Sequence, residues 1–358
     1  MPPAGDVYKA LQIHPTRFCN LTCLHCYSSS GPDQREELSA PLLIDAITQA
    51  ADEGYNDVAF SGGEPILYGD LRRLLTHAKS LGMVTNLTSN GMLLKGARLD
   101  MLAGVTDLLA ISLDGVPASH DRMRNSPLAF AHMHANLDGV RQSGIPFGFI
   151  FTLTQTNLHE LKWVTDFAVE QGASLLQIHP LEEVGRGMTQ LAGQRPDDVE
   201  AAFAYLHALR MQTEVGDKLA VRIDLVDRER LRMSAERVCV ATCGVAAEDR
   251  PLSDLISPLV IEQDGAVVPL QFGFNRSCQV GNLYESTFSA MATAWKKDVF
   301  PRFRALCEDV HALQMVRDDL PIFNWYEAIS RASHRQAPVS AASDRGGQVA
   351  AAHRTSRA

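Results

Sequence analysis

From residue 9 to about residue 180, short apolar runs alternate with stretches whose apolar residues recur every three or four positions. Six runs read as strands, at residues 11–14, 57–61, 83–88, 107–112, 147–153 and 174–179. The stretches between them read as helices. In the first, Leu38, Leu42, Leu43, Ala46, Ile47 and Ala50 share one face, and Ser39 stands where an N-cap belongs. A later one carries Leu158, Leu161, Val164, Phe167 and Ala168, with Gly172 near its end. Strands alternating with helices imply parallel pairing through right-handed crossovers. Pattern alone leaves three forms open: a closed sheet, an open one and a partial barrel. After residue 180 the rhythm changes. Residues 181–198 are Gly-rich and irregular, and a helix is expected over 199–213. Runs at 259–261 and 266–268 flank Gln263-Asp264-Gly265, which predicts a hairpin in a small appended module. From about His334 the chain is mostly Ala, Ser, Gly and Arg, which predicts a disordered tail.

Composition changes this picture little. At 358 residues, 46% hydrophobic and 21% charged, the chain has room for one large domain and a smaller one. A net charge of −9 and a pI near 5.7 speak against a nucleic-acid partner. There is no run of eighteen apolar residues, and residues 1–10 lack a basic-then-apolar signal, so a cytoplasmic protein without a membrane span is expected. Seven cysteines are present, three of them within eight residues. In a reducing compartment such a cluster reads as metal ligands rather than a disulfide framework.

Those three are Cys19, Cys23 and Cys26, directly after the first strand. Two readings of the spacing stand. One is a structural zinc site with His25 or His14 as fourth ligand. The other is a four-iron cluster held by three thiolates, with one iron left open for a chelating small molecule.

The C-x-x-x-C-x-x-C loop resembles the signature of the radical S-adenosylmethionine (SAM) superfamily, and later landmarks follow in that family's order. They are Gly62-Gly63-Glu64-Pro65 after the second strand, Thr88-Ser89-Asn90-Gly91 after the third, and Ile111-Ser112-Leu113-Asp114-Gly115 after the fourth. His120-Asp121 and Arg124 come next, then Thr152 to Asn157 and Glu160-Leu161. The resemblance implies an α/β fold: a partial (β/α)6 TIM-like barrel with a small C-terminal α+β extension. It divides the chain into a core over 1–190, a helical linker over 191–235, a degenerate SPASM/twitch-like module over 236–333 and a tail over 334–358. It also implies an oxidoreductase that cleaves SAM reductively to a 5′-deoxyadenosyl radical, with Cys19, Cys23 and Cys26 on a [4Fe–4S] cluster. Backbone at Gly62, Gly63 and Glu64 would hold the SAM amino group. Ser112 and Asp114 would lie near the ribose and carboxylate, Asn90 nearby, and Arg124 would fork a carboxylate. His25 would pack near the adenine, and His120, His132 and His134 read as packing or surface residues. No residue is assigned as acid, base or radical quencher.

Residues Cys243-Gly244, the hairpin and Gly281-Asn282-Leu283 resemble the C-terminal extension, which binds auxiliary clusters in that family. Leu270 stands where the family has a cysteine after the proline. Only Cys239, Cys243, Cys278 and Cys307 remain, enough for one auxiliary iron–sulfur cluster and not two; the other reading makes them buried apolar residues. The resemblance favours a peptide or protein maturase, with a small-molecule substrate in cofactor or natural-product biosynthesis as the rival. A non-catalytic metal-binding scaffold is the reading from another class. A reductase, flavodoxin or ferredoxin is the implied electron donor. About ten residues precede the first strand, so a peptide is expected to dock on the barrel mouth or arrive with a recognition partner. Glu182, Glu183 and Arg186, just past the sixth strand, are candidates to face the substrate.

Overall fold

The computed structural model describes residues 8–233 and 247–336. Strands β1 (Ala10–Ile13), β2 (Asp57–Phe60), β3 (Val84–Ser89), β4 (Leu108–Ser112), β5 (Phe147–Leu153) and β6 (Leu175–Pro180) pair in parallel in that order. They form the partial barrel that the family resemblance implies, one of the three forms the βα rhythm left open. Side chains alternate across each strand. Leu11 and Ile13, Val58 and Phe60, and Leu176 and Ile178 are buried, while Gln12, Ala59, Asn86, Gln177 and His179 on the opposite face stay half-buried. That second face lines the barrel interior.

The helices cover the outer face. Helix α1 (Ala40–Asp52) buries Leu43, Ala46, Ile47 and Ala50. Ser39 occupies its N-cap position, but its side chain makes no cap bond, and a proline in the first turn fixes the start instead. The other helices between the strands are α2 (Leu71–Ser80), α3 (Ala97–Asp100), α4 (Pro117–Arg124), α5 (Ala129–Ser143) and α6 (Leu161–Glu170).

The two sheet edges are where the structure goes beyond the sequence pattern. After α7 (Gly187–Gln190) and α8 (Asp198–Val215), the strand β7 (Ala220–Ile223) adds in parallel to β6. It lies within the stretch expected to be a linker. A short strand β8 (Val226–Asp227) pairs elsewhere, with Ile322–Phe323. The predicted hairpin forms from β9 (Leu259–Ile261) and β10 (Ala266–Pro269), with Gly265 at positive φ in its loop. It is no free-standing module: β9 pairs in parallel with β1, so the ten-stranded sheet runs through both parts of the chain. One apolar core accordingly joins Leu11 and Phe60 to Val260, Trp295 and Phe303. Helix Trp325–Gln336 continues through His334, where composition predicted a tail; the rest of that stretch, 337–358, lies outside the described residues. No helix among the described residues is long and apolar enough to cross a membrane.

Candidate active site at the carboxyl ends of the strands

The loop leaving β1 closes on itself. The Cys19 amide donates to the Gly31 carbonyl at 3.2 Å, the Gly31 amide to the Arg17 carbonyl at 3.2 Å, and the Cys26 amide to the Cys23 carbonyl at 3.3 Å. Cys19, Cys23 and Leu21 are buried together, with Cys26 and Met92 packed against them, so the three predicted thiols do come together. Each sulfur has a polar neighbour: the Leu21 amide donates to Cys19 Sγ at 3.4 Å, Arg124 Nη1 to Cys23 Sγ at 3.8 Å, and Ser28 Oγ lies 3.4 Å from Cys26 Sγ. Burial pushes the Cys19 thiol up to about 12 and raises Cys23 as well. Thiolates here therefore need cationic partners, which iron supplies, and ligation would release the protons. Among the described residues no three His, Cys, Asp or Glu side chains converge on a point that one ion would fill. A cubane asks for something else, one thiolate on each of three irons, and this donor set fits it.

The strand-end motifs brace that loop. The amides of Gly63 and Glu64 donate to the carbonyls of Thr16 at 2.8 Å and Phe18 at 2.9 Å, carrying the β1–β2 pairing into the cysteine loop. A Cβ on Gly63 would stand 2.2 Å from the Phe18 oxygen, so the approach requires glycine. The Glu64 carboxylate, 1% exposed, accepts from the Ser89 hydroxyl at 2.9 Å, the Asn90 amide at 2.8 Å and the Ile66 amide at 3.3 Å. Burial pushes its pKa up to about 7. The Asn90 side-chain amide in turn donates to Asn20 Oδ1 at 2.8 Å. Glu64 and Asn90 thus tie the ends of β2 and β3 to the segment between Cys19 and Cys23.

Ser112, also buried, ends β4, and beyond it the structure places Asp114 and Arg124 against each other. They form an ion pair: Arg124 Nε lies 2.7 Å from Asp114 Oδ2, with Asp114 fully buried. The Thr152 amide donates to Asp114 Oδ1 at 3.2 Å, and the Asp114 amide donates to His120 Nδ1 at 3.1 Å. Burial would raise the Asp114 pKa, yet Arg124, His25 and His120 hold it down at about 2. His25 Nε2 is 3.9 Å from Asp114 Oδ2, so that ring packs beside the ion pair, and burial lowers its pKa to about 4. His120 is fully buried, and the His134 ring stacks on Phe130 at 5.6 Å.

Several residues that pattern named without these contacts set this geometry, and it missed the His179–Asp224 pair. Glu160 accepts from the Val116 amide at 2.8 Å and the Ser119 hydroxyl at 2.6 Å, capping α4 from the turn after the neighbouring strand β5. Asn157 Nδ2 donates to the Asp114 carbonyl at 3.2 Å. Arg186, a candidate for substrate, instead donates to the carbonyls of Cys23 at 2.9 Å and Ser30 at 2.6 Å. Its neighbour Gly185, at φ +58°, lies so close that a Cβ would meet the Tyr27 oxygen at 2.2 Å. Glu183 pairs with Arg331 at 3.5 Å on the surface. Glu182 accepts from Gln271 Nε2 at 3.1 Å, and burial pushes its pKa up to about 7. Beside it on the interior face, His179 Nδ1 bonds Asp224, which also accepts from Gln177 at 2.6 Å. Burial opposes protonation of His179, but Asp224 outweighs it and raises the pKa. A histidine at an inward position of a predicted strand was the available signal for this pair; its acidic partner is 45 residues away.

In the extension, Cys278 and Cys307 are buried within the apolar core. Cys239 and Cys243 lie outside the described residues. Leu270 is buried at φ +66°, and Phe272, two residues on, stacks on His14 at 5.1 Å beside Tyr27.

The profile of the Radical SAM superfamily matches residues 13–168. An AdoMet-dependent heme synthase of Oleidesulfovibrio alaskensis is 28% identical over 301 residues, 81% of this chain and 75% of that protein. The sporulation killing factor maturation protein SkfB of Bacillus subtilis is 24% identical over 307 residues, 86% of this chain and 70% of that one. Among solved structures, Streptococcus suis SuiB bound to S-adenosylmethionine superposes with a TM-score of 0.64 at 18% identity, covering 84% of this chain and 68% of that one. SuiB has also been solved with its precursor peptide SuiA.

Proposed function

The chain belongs to the radical SAM superfamily of iron–sulfur enzymes, and on that premise we propose that it modifies a side chain of a peptide or protein at the mouth of its barrel. Cys19, Cys23 and Cys26 would ligate the cluster, and Gly62, Gly63, Glu64, Asn90 and Ser112 would surround SAM. When bound, the reduced cluster and SAM together supply a 5′-deoxyadenosyl radical that abstracts hydrogen from substrate. This chain's residues do the rest. Gly63 and Arg186 seat the cysteine loop, the α4 cap aims Arg124 at it, and Leu21 and Met92 pack as an apolar wall beside the sulfurs.

The observation that carries the peptide reading is the polar interior flank. Gln177, His179 and Asp224 are half-buried and Arg222, paired in register with Gln177, is exposed, so this flank presents polar groups suited to an extended polar chain. The names of SkfB and SuiA's partner point the same way. The likeness to a heme synthase supports a second reading, a tetrapyrrole substrate. Anaerobic incubation with dithionite, SAM and either short peptides encoded beside the gene or an iron porphyrin separates them. A mass change in a peptide is expected; a change in the porphyrin alone would overturn the first reading. Replacing Cys19, Cys23 and Cys26 by Ala must abolish 5′-deoxyadenosine formation. A reductase, flavodoxin or ferredoxin in the cytoplasm would supply the electrons. Iron content decides the auxiliary cluster, with about eight irons per chain if Cys239, Cys243, Cys278 and Cys307 hold one and about four if they do not.

A further inference from the structure

We propose that Arg124 sets the reduction potential of the cluster through its contact with the Cys23 sulfur, an inference that rests on the three thiols being the iron ligands. The guanidinium is delivered to that sulfur by a helix pinned at both ends. Glu160 holds the first turn of α4. At the other end the Leu24 amide donates to the Met123 carbonyl at 2.9 Å, and Asn125 Nδ2, from a left-handed residue, donates to Thr22 Oγ1 at 3.1 Å. The residues on either side of Arg124 thus grip those on either side of Cys23. Between them Arg124 is 8% exposed, with Nη1 on Cys23 Sγ at 3.8 Å and Nε on Asp114 at 2.7 Å.

The three sulfurs are not equivalent. Cys19 receives a backbone amide and Cys26 neighbours a hydroxyl, both neutral. Among the described residues, Arg124 supplies the cationic hydrogen bond to a ligand sulfur. Arg186 also reaches Cys23, but at its carbonyl. A cation donating to a ligand thiolate stabilises the cluster's more negatively charged, reduced form, and little solvent is present to screen it. Asp114 moderates the effect because it lies on the opposite edge of the same guanidinium. Asp114 and Arg124 thus form a graded electrostatic device: the arginine makes the cluster easier to reduce, and the aspartate limits by how much.

The test is an EPR-monitored redox titration of the reconstituted protein without SAM, alongside iron and sulfide analysis. Arg124→Met is expected to retain its iron and to shift the midpoint potential to more negative values, with Arg124→Lys falling between it and the wild type. Asp114→Asn keeps the arginine but removes its counter-charge, so its midpoint should move the opposite way, to more positive values. An Arg124→Met midpoint equal to the wild type's overturns the inference. Should Arg124→Met fail to hold iron, Asp114→Asn decides: an unchanged or more negative midpoint overturns the inference. The ligand assignment fails separately, if the triple Cys→Ala protein still carries a SAM-responsive cluster.

Discussion

Single residues here carry two kinds of cost, close approach and burial of charge. At Gly63 the cost is steric, since any side chain meets the Phe18 carbonyl. Gly63→Ala is expected to destabilise the fold by about 1–3 kcal/mol and to lower iron retention after reconstitution, measured as iron per chain. At Asp57 the cost is electrostatic. It faces the barrel interior, and burial pushes its pKa from 3.8 to about 6, although Asn86 donates to it at 2.8 Å. The folded state therefore holds this proton more tightly than the unfolded one. The buried charge costs stability above about pH 6, and the cost fades as pH falls from 6 towards 3.8. Asp57→Asn should accordingly be more stable than wild type at pH 7, by about 1–2 kcal/mol after allowing for partial solvent screening. Urea midpoints at pH 7 and pH 5 check this: the advantage should shrink at the lower pH.

At the level of elements, α4 and the segment after β6 hold the cysteine loop from two sides. Glu160→Ala removes the cap of α4, leaving the Val116 amide and Ser119 hydroxyl without their carboxylate. A loss of about 1–2 kcal/mol is expected, together with faster amide exchange at Val116. Arg186→Met removes two charge-assisted bonds to loop carbonyls. The cost should be about 1–3 kcal/mol, read as faster loss of iron to a chelator. The strands and principal helices themselves were legible, because period-two and period-3.6 patterns are local properties of a chain. β7 was not: its four residues are half-buried or exposed, so its burial does not alternate, and it became a strand by pairing with β6.

For the whole molecule, the consequence of β9 lying beside β1 is that barrel and extension share a sheet and a core. The protein should unfold in one cooperative transition, and a chain ending at residue 233 should bind a hydrophobic dye and lack a cooperative melt. Two coincident probes, near- and far-UV circular dichroism, test the first expectation. The sequence by itself determined the thiol cradle, because three cysteines within eight residues stay close in space wherever the loop lies. It also determined the order of motifs at strand ends and the βα architecture, which follow from spacing and periodicity. Only the tertiary structure decided what those residues touch. Arg124 meets Cys23 across 101 positions, Glu182 meets Gln271 across 89, and the hairpin completes the sheet from the far end of the chain. Such contacts are chosen among many sterically allowed partners by packing and desolvation of the whole. That is why the sequence alone does not place Arg124 between the Asp114 carboxylate and the Cys23 sulfur.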